Sequence, residues 1–210
     1  MQRGTVVNLR HFKIGFDFLR QNWKLILLTL CFVVGIILAT FSSDKTSYIF
    51  KQLNIASQNF IKLRLNRDFL KIFIKSFLIN FGFLLTIFVL GSSVNGITLV
   101  PVVIGIKGYL MGFLISYIYS NYELKGIAFC ALIIIPPSII TVICLFLFSK
   151  FAMCFSLRVI NATMPNGINK NLNLQFKQFV KLLFINLLPI ILSALCDGWL
   201  SIKLVPYLKF

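Results

Sequence analysis

The sequence predicts an all-α polytopic membrane protein with about five transmembrane helices plus amphipathic interfacial helices, and three observations predict it. Of 210 residues, 59% are hydrophobic and 12% charged, against about 25% charged in soluble domains, and mean hydropathy is +0.93. The apolar residues gather in runs long enough to cross about 30 Å of hydrocarbon. Lys and Arg number 21 against five acids, a net charge of +16, and these bases flank the apolar runs. That placement makes anionic lipid the expected partner of the basic segments, with no nucleic acid.

The first element is a basic amphipathic segment, 1–24. Leu9, Phe12, Phe16, Leu19 and Trp23 recur at helical spacing with Arg10, Lys13, Asp17, Arg20 and Lys24 between them, the pattern of a helix lying in the interface. A first span over about 23–41 is longer than a signal peptide's core and reads as an uncleaved anchor. Segment 42–75 interleaves seven Lys and Arg with Phe50, Leu53, Phe60, Ile61, Leu65, Phe69 and Phe73, so one or two surface helices are expected there. A second span covers about 77–93. The stretch Gly91 to Gly96 forms a tight turn, and a third span follows over about 97–119.

Asn121 to Gly126 is a short polar loop, and the fourth span, about 127–148, meets Pro136 and Pro137 in its middle. Paired prolines remove two backbone donors and are expected to break the helix, which is tolerable in lipid only against protein or water. A polar loop, 149–178, carries the turn Pro165, Asn166, Gly167, and a fifth span covers about 179–205. The Lys and Arg bias is ten on each side of the membrane, so it sets no orientation; the basic flank leading into the first span favours an inside N-terminus.

Chemistry-bearing side chains are few. His11 is the single histidine, and the acids are Asp17, Asp44, Asp68, Glu123 and Asp197. No phosphate-binding loop, nucleophile elbow, zinc helix or carboxylate pair occurs, so no catalytic, cofactor-binding or metal-ligating residue is expected. Cys31, Cys130, Cys144, Cys154 and Cys196 lie in or beside apolar runs without zinc spacing and read as small apolar residues.

Within the spans the charges are Lys107 and Asp197. Intramembrane ions are costly and are functional candidates by default. Three readings stand open: Lys107 snorkels while Asp197 sits near the surface or caps a break before Gly198, the two pair, or they line an ion or proton path. Gly108, Gly112 and Ser116 place small residues at i, i+4 and i+8, a face for close helix packing within the protein or with a partner. Asn80, Asn186, Ser138 and Thr141 are suited to hydrogen bonds between helices.

From Phe77 to Leu157 one order of features resembles the stage II sporulation protein M family. Asn80 enters an apolar helix that ends in the glycine turn Gly91 to Gly96. Pro101 follows, then Lys107, Gly108 and Gly112 open a Gly- and Phe-rich helix. Lys125 and Gly126 close a short loop, a span breaks at Pro136, and a Phe-Ser-Leu tail ends at Phe155 to Leu157. Where the family often has a polar residue after the central proline, this chain has Pro137.

The resemblance implies a non-enzymatic membrane scaffold of the endospore engulfment machinery, in the bacterial cell membrane at the sporulation septum on the mother-cell side. Its implied partners are membrane-anchored peptidoglycan hydrolases, an amidase/endopeptidase and a lytic transglycosylase, which it would recruit and stabilise as the septum migrates around the forespore. A small membrane carrier or channel using Lys107 and Asp197 is the alternative, motivated by the two charges and the proline-containing helices at membrane depth.

Overall fold

The computed structural model describes residues 22–41, 48–66, 68–163 and 172–205, and among them it is helical with no strand. In chain order the helices are α1 (Trp23–Phe41), α2 (Tyr48–Leu65), α3 (Phe69–Gly91), α4 (Gly96–Phe129), a π-helical turn (Cys130–Ile134), α5 (Ile135–Thr163) and α6 (Leu172–Leu204). Four helical stretches are long and apolar enough to cross a membrane: α1, α3, α6 and the 68 residues from Gly96 to Thr163. The amphipathic segment 1–21 and the turn Pro165 to Gly167 lie outside the described residues.

Sixty-eight residues in one straight helix would reach about 100 Å at 1.5 Å per residue, far more than a bilayer needs. The chain instead reverses at Glu123, whose backbone (φ 48°, ψ −126°) leaves the helical region. A side chain is strained there, and the reversal brings Gly126 so close to Ile118 that a Cβ on the glycine would stand 2.7 Å from the Ile118 carbonyl oxygen. Residues 96–122 and 124–163 are therefore two antiparallel limbs. Their far ends meet again where the Ser156 hydroxyl donates to the Ser93 carbonyl (2.9 Å) and accepts from the Ile97 amide (3.2 Å). One serine so caps the start of α4 and fixes the glycine turn.

Three expected boundaries shift. The second span starts at Phe69, because Asp68 stands at the N-cap position and Phe69, Phe73, Phe77 and Phe81 stack one turn apart with ring centroids 6.3, 6.2 and 5.6 Å from each other. The expected polar loop 149–178 is helical up to Thr163 and again from Leu172: Ser149, Ala152, Met153, Phe155 and Ser156 are buried against neighbouring helices, and that burial overrides local polarity. Pro136 and Pro137 do not break their helix. The π turn at 130–134 directly precedes them, and a wider turn absorbs a mismatch in the i to i−4 ladder without interrupting the rod.

The tightest packing is between α1 and α4. A Cβ at Gly35 would overlap the Gly105 carbonyl oxygen, one at Gly108 would overlap that of Phe32, and one at Gly112 would lie 3.0 Å from the Ile36 backbone. In lipid, where water does not drive helices together, such backbone approach is the main source of helix affinity. The bundle core is Leu28, Leu84, Ile87, Val100, Ile104, Leu145, Phe148, Met153 and Ile190, all fully buried, and Phe179 of α6 stacks on Phe88, Phe148 and Phe155 at 5.0, 5.3 and 4.9 Å. Helix α2 lies across the Glu123 end of the bundle. Its Ile61 packs with Ile118, Phe129, Cys130, Ile133, Ile134 and Val205 in a second apolar cluster.

Gly35→Ala should cost about 1–3 kcal/mol, the range for overpacking a close contact. Gly82→Ala serves as its control, since a Cβ at Gly82 meets nothing within 4 Å. Thermal unfolding in detergent should separate the two, with Gly35→Ala melting earlier and Gly82→Ala unchanged.

Candidate functional site

Between α2, α3, α4, α5 and α6 lies a cavity of about 190 Å³, lined among others by Arg64, Lys75, Asn80, Lys107, Ser138, Thr141, Ser193 and Asp197. So many polar groups at membrane depth are expensive unless satisfied inside the protein. Two arrangements satisfy most of them.

The first is an ion pair. Arg64 Nη2 donates to Asp197 Oδ2 at 2.5 Å, and both side chains are 4% exposed. Arg64 Nη1 also donates to the Phe60 carbonyl at 3.3 Å, and the guanidinium lies 3.3 Å from the Phe60 ring centroid. Helix α2 supplies Arg64 on the face it presents to the bundle, with Ser57 and Ile61 buried two turns and one turn earlier. Gly198, directly after Asp197, lets α6 approach Phe69, whose ring would stand 2.8 Å from a Cβ there.

The second is a chain of neutral partners. Lys107 Nζ donates to Asn80 Oδ1 at 2.8 Å and lies 4.8 Å from the Phe83 ring centroid. The Pro137 carbonyl accepts from the hydroxyls of both Thr141 (3.0 Å) and Ser193 (2.7 Å), which are themselves 2.6 Å apart. This knot ties α5 to α6 beside the chamber. Further along, Cys144 Sγ donates to Asn186 Oδ1 at 3.2 Å while the Asn186 amide donates to the Leu182 carbonyl at 2.8 Å.

Lys107 and Asp197 thus line one chamber without pairing with each other. Lys107 does not snorkel to the surface but is held by Asn80, and Asp197 takes a charge from α2. Arg64 is the residue sequence reasoning missed: it is one of seven bases in a surface stretch, and its partner lies 133 positions away. The lone acid within the spans was the available signal, since it required a cation but did not say which. The face of Gly108 and Gly112 is covered by α1, which leaves no room there for a partner's helix; Ser116, one turn on, is half-buried. Pro136 and Pro137 sit just past the π turn, with Pro137 buried on the chamber wall.

All five cysteines are free, and Cys130 and Cys144 are buried. Among the described residues no three His, Cys, Asp or Glu side chains gather where they could share a metal ion.

Breaking a buried pair strands a charge and costs about 3–5 kcal/mol. Arg64→Met and Asp197→Leu should each destabilise the protein by that order in thermal unfolding. The double variant should recover much of the loss, giving a large coupling in a double-mutant cycle, whereas additive losses would mean the two charges act independently.

Searches among curated proteins and among solved structures gave no match. The sequence does match the stage II sporulation protein M family over residues 28–202, from within α1 to the last turn of α6. That range takes in the glycine groove, the Ser156 corner, Lys107 with Asn80, and both members of the Arg64 and Asp197 pair, so the chain belongs to the stage II sporulation protein M family of sporulation-related membrane proteins.

Proposed function

We propose that this protein is a non-enzymatic scaffold of the engulfment machinery. It recruits and stabilises peptidoglycan hydrolases, an amidase/endopeptidase and a lytic transglycosylase, at the mother-cell side of the septal membrane as that membrane moves around the forespore. Family membership over residues 28–202 is the observation that carries the reading. The poverty of chemical groups supports it: the chain has one histidine and five acids, and Asp197 is committed to Arg64. The bond-breaking chemistry then belongs to the partners.

Because α1 fills the α4 glycine groove, partner anchors must meet the bundle elsewhere. Phe184, Leu188, Leu192, Leu195 and Trp199 form an outward row on α6 and are exposed. Such a row suits van der Waals packing against another membrane helix, with α2 as a platform on the Glu123 side.

A tagged copy, extracted in mild detergent from sporulating source cells, should recover cell-wall hydrolases above an untagged control. Phe184→Ala with Leu188→Ala should lower that recovery several-fold at unchanged protein level. Recovery of intact, abundant protein alone would overturn the scaffold reading.

The chamber favours one second reading, a small carrier in which Lys107 and Asp197 contact a solute. In that case Lys107→Ala and Asp197→Ala abolish flux or phenotype even where the inserted protein remains stable, while under the scaffold reading they act through stability.

A further inference from the structure

The chamber carries unbalanced charge. Its charged lining residues are Arg64, Lys75 and Lys107 against Asp197, and Asp197 is taken by Arg64. Lys107 rests on a neutral amide and a ring face in place of a carboxylate. An ammonium held at membrane depth by one amide oxygen is only partly compensated. Lys75 stands at the rim, exposed, two turns of α3 before Phe83 and one turn before Ile79, which lines the chamber and is 46% exposed to the outside.

The chamber thus lies beside an exposed flank of α3, with one base on that flank and a second base inside. The walls between them are apolar: Ile72, Ile79, Leu110, Met111, Leu114 and Ile134. Hydroxyls of Ser76, Ser138 and Thr141 belong to the same lining. A volume of about 190 Å³ has room for a small polar head and not for a whole lipid, whose chains would stay outside against exposed α3 residues such as Leu78 and Ile79.

We propose that this chamber binds a phosphate-bearing anion, with Lys107 as the inner counter-charge, Lys75 as the rim contact and the hydroxyls of Ser76 and Ser138 as further donors. The chemistry is shared by the phosphodiester head of an anionic phospholipid and by free phosphate. The exposed apolar residues Leu78 and Ile79 of α3 beside the chamber point to the lipid. This site is separate from any attraction of basic surface segments to anionic membranes, because its selective element is a lysine inside the bundle. It does not rest on the scaffold reading, and a protein that recovers no hydrolase would still bind the anion.

The test is lipid retention and thermal stability of the full-length protein in detergent micelles, titrated separately with phosphatidylglycerol, phosphatidylcholine and inorganic phosphate. Phosphatidylglycerol should raise the melting temperature of the wild type and phosphatidylcholine should not. Lys107→Gln should weaken that response about ten- to hundredfold in apparent affinity, the worth of a charged hydrogen bond. Lys107→Arg should keep part of the response, and the exposed Lys71→Gln should leave it whole. A response to inorganic phosphate alone would support the anion site and name the free ion as its occupant.

Equal responses to both lipids with none to phosphate, or a Lys107→Gln response equal to wild type, would overturn the proposal. Should Lys107→Gln fail to fold, a photo-activatable phosphatidylglycerol with its reactive group near the head settles the matter on the wild type. Crosslinks at Met111 or Leu114 support the site, and crosslinks confined to outward residues such as Leu188 refute it.

Discussion

A charge inside a bilayer has to find its partner within the protein, and the arrangement of this bundle follows from how two such charges are met. Asp197 on α6 is answered by Arg64 on α2, which draws an otherwise interfacial helix against the end of the bundle. Lys107 on α4 is answered by Asn80 on α3, which fixes the register of those two helices. Between the two contacts a chamber with a few polar groups on apolar walls remains, because helices held apart by polar side chains do not close to the distance that the α1 and α4 glycines permit.

The order of features that marks the family acquires a physical meaning in this geometry. Gly91 and Gly96 are small because the corner between α3 and α4 is crowded by Ala152, Phe179 and Ser156. The serine of the Phe-Ser-Leu tail is the group that caps that corner from the opposite limb. Asn80 and Lys107, separated in sequence by an entire turn and two half-helices, are hydrogen-bonded to each other. The small residues after Lys107 accept α1. What reads along the chain as a scattered set is a set of contacts between helices.

Much of the fold was legible in the sequence because a membrane imposes a simple code: apolar length makes a crossing helix. The glycine turn at 91–96 and the amphipathic character of α2 were legible for the same reason. Helix ends were less so. Residues 149–163 are polar enough to look like a loop, yet they are packed against other helices, and packing is a long-range fact. The prolines at 136 and 137 looked disruptive because local rules do not foresee a π turn placed just ahead of them. At the chamber, Lys107 and Asp197 stood out as lone charges, while Arg64 was hidden among similar bases and is distinguished only by three-dimensional proximity.

The ion pair also dictates a sequence of events in biogenesis. Arg64 is made long before its counter-charge: 133 residues separate it from Asp197. At about 5–20 residues per second, roughly 7–27 s of synthesis elapse between them. Through that interval Asp197 is not there to pair with Arg64, and the headgroup region, with its hydration and lipid phosphates, is the favourable place for that charge. Only once α6 has been made can Asp197 take that charge and α6 supply its wall of the chamber, so the interior is completed by the helix that is last among those described.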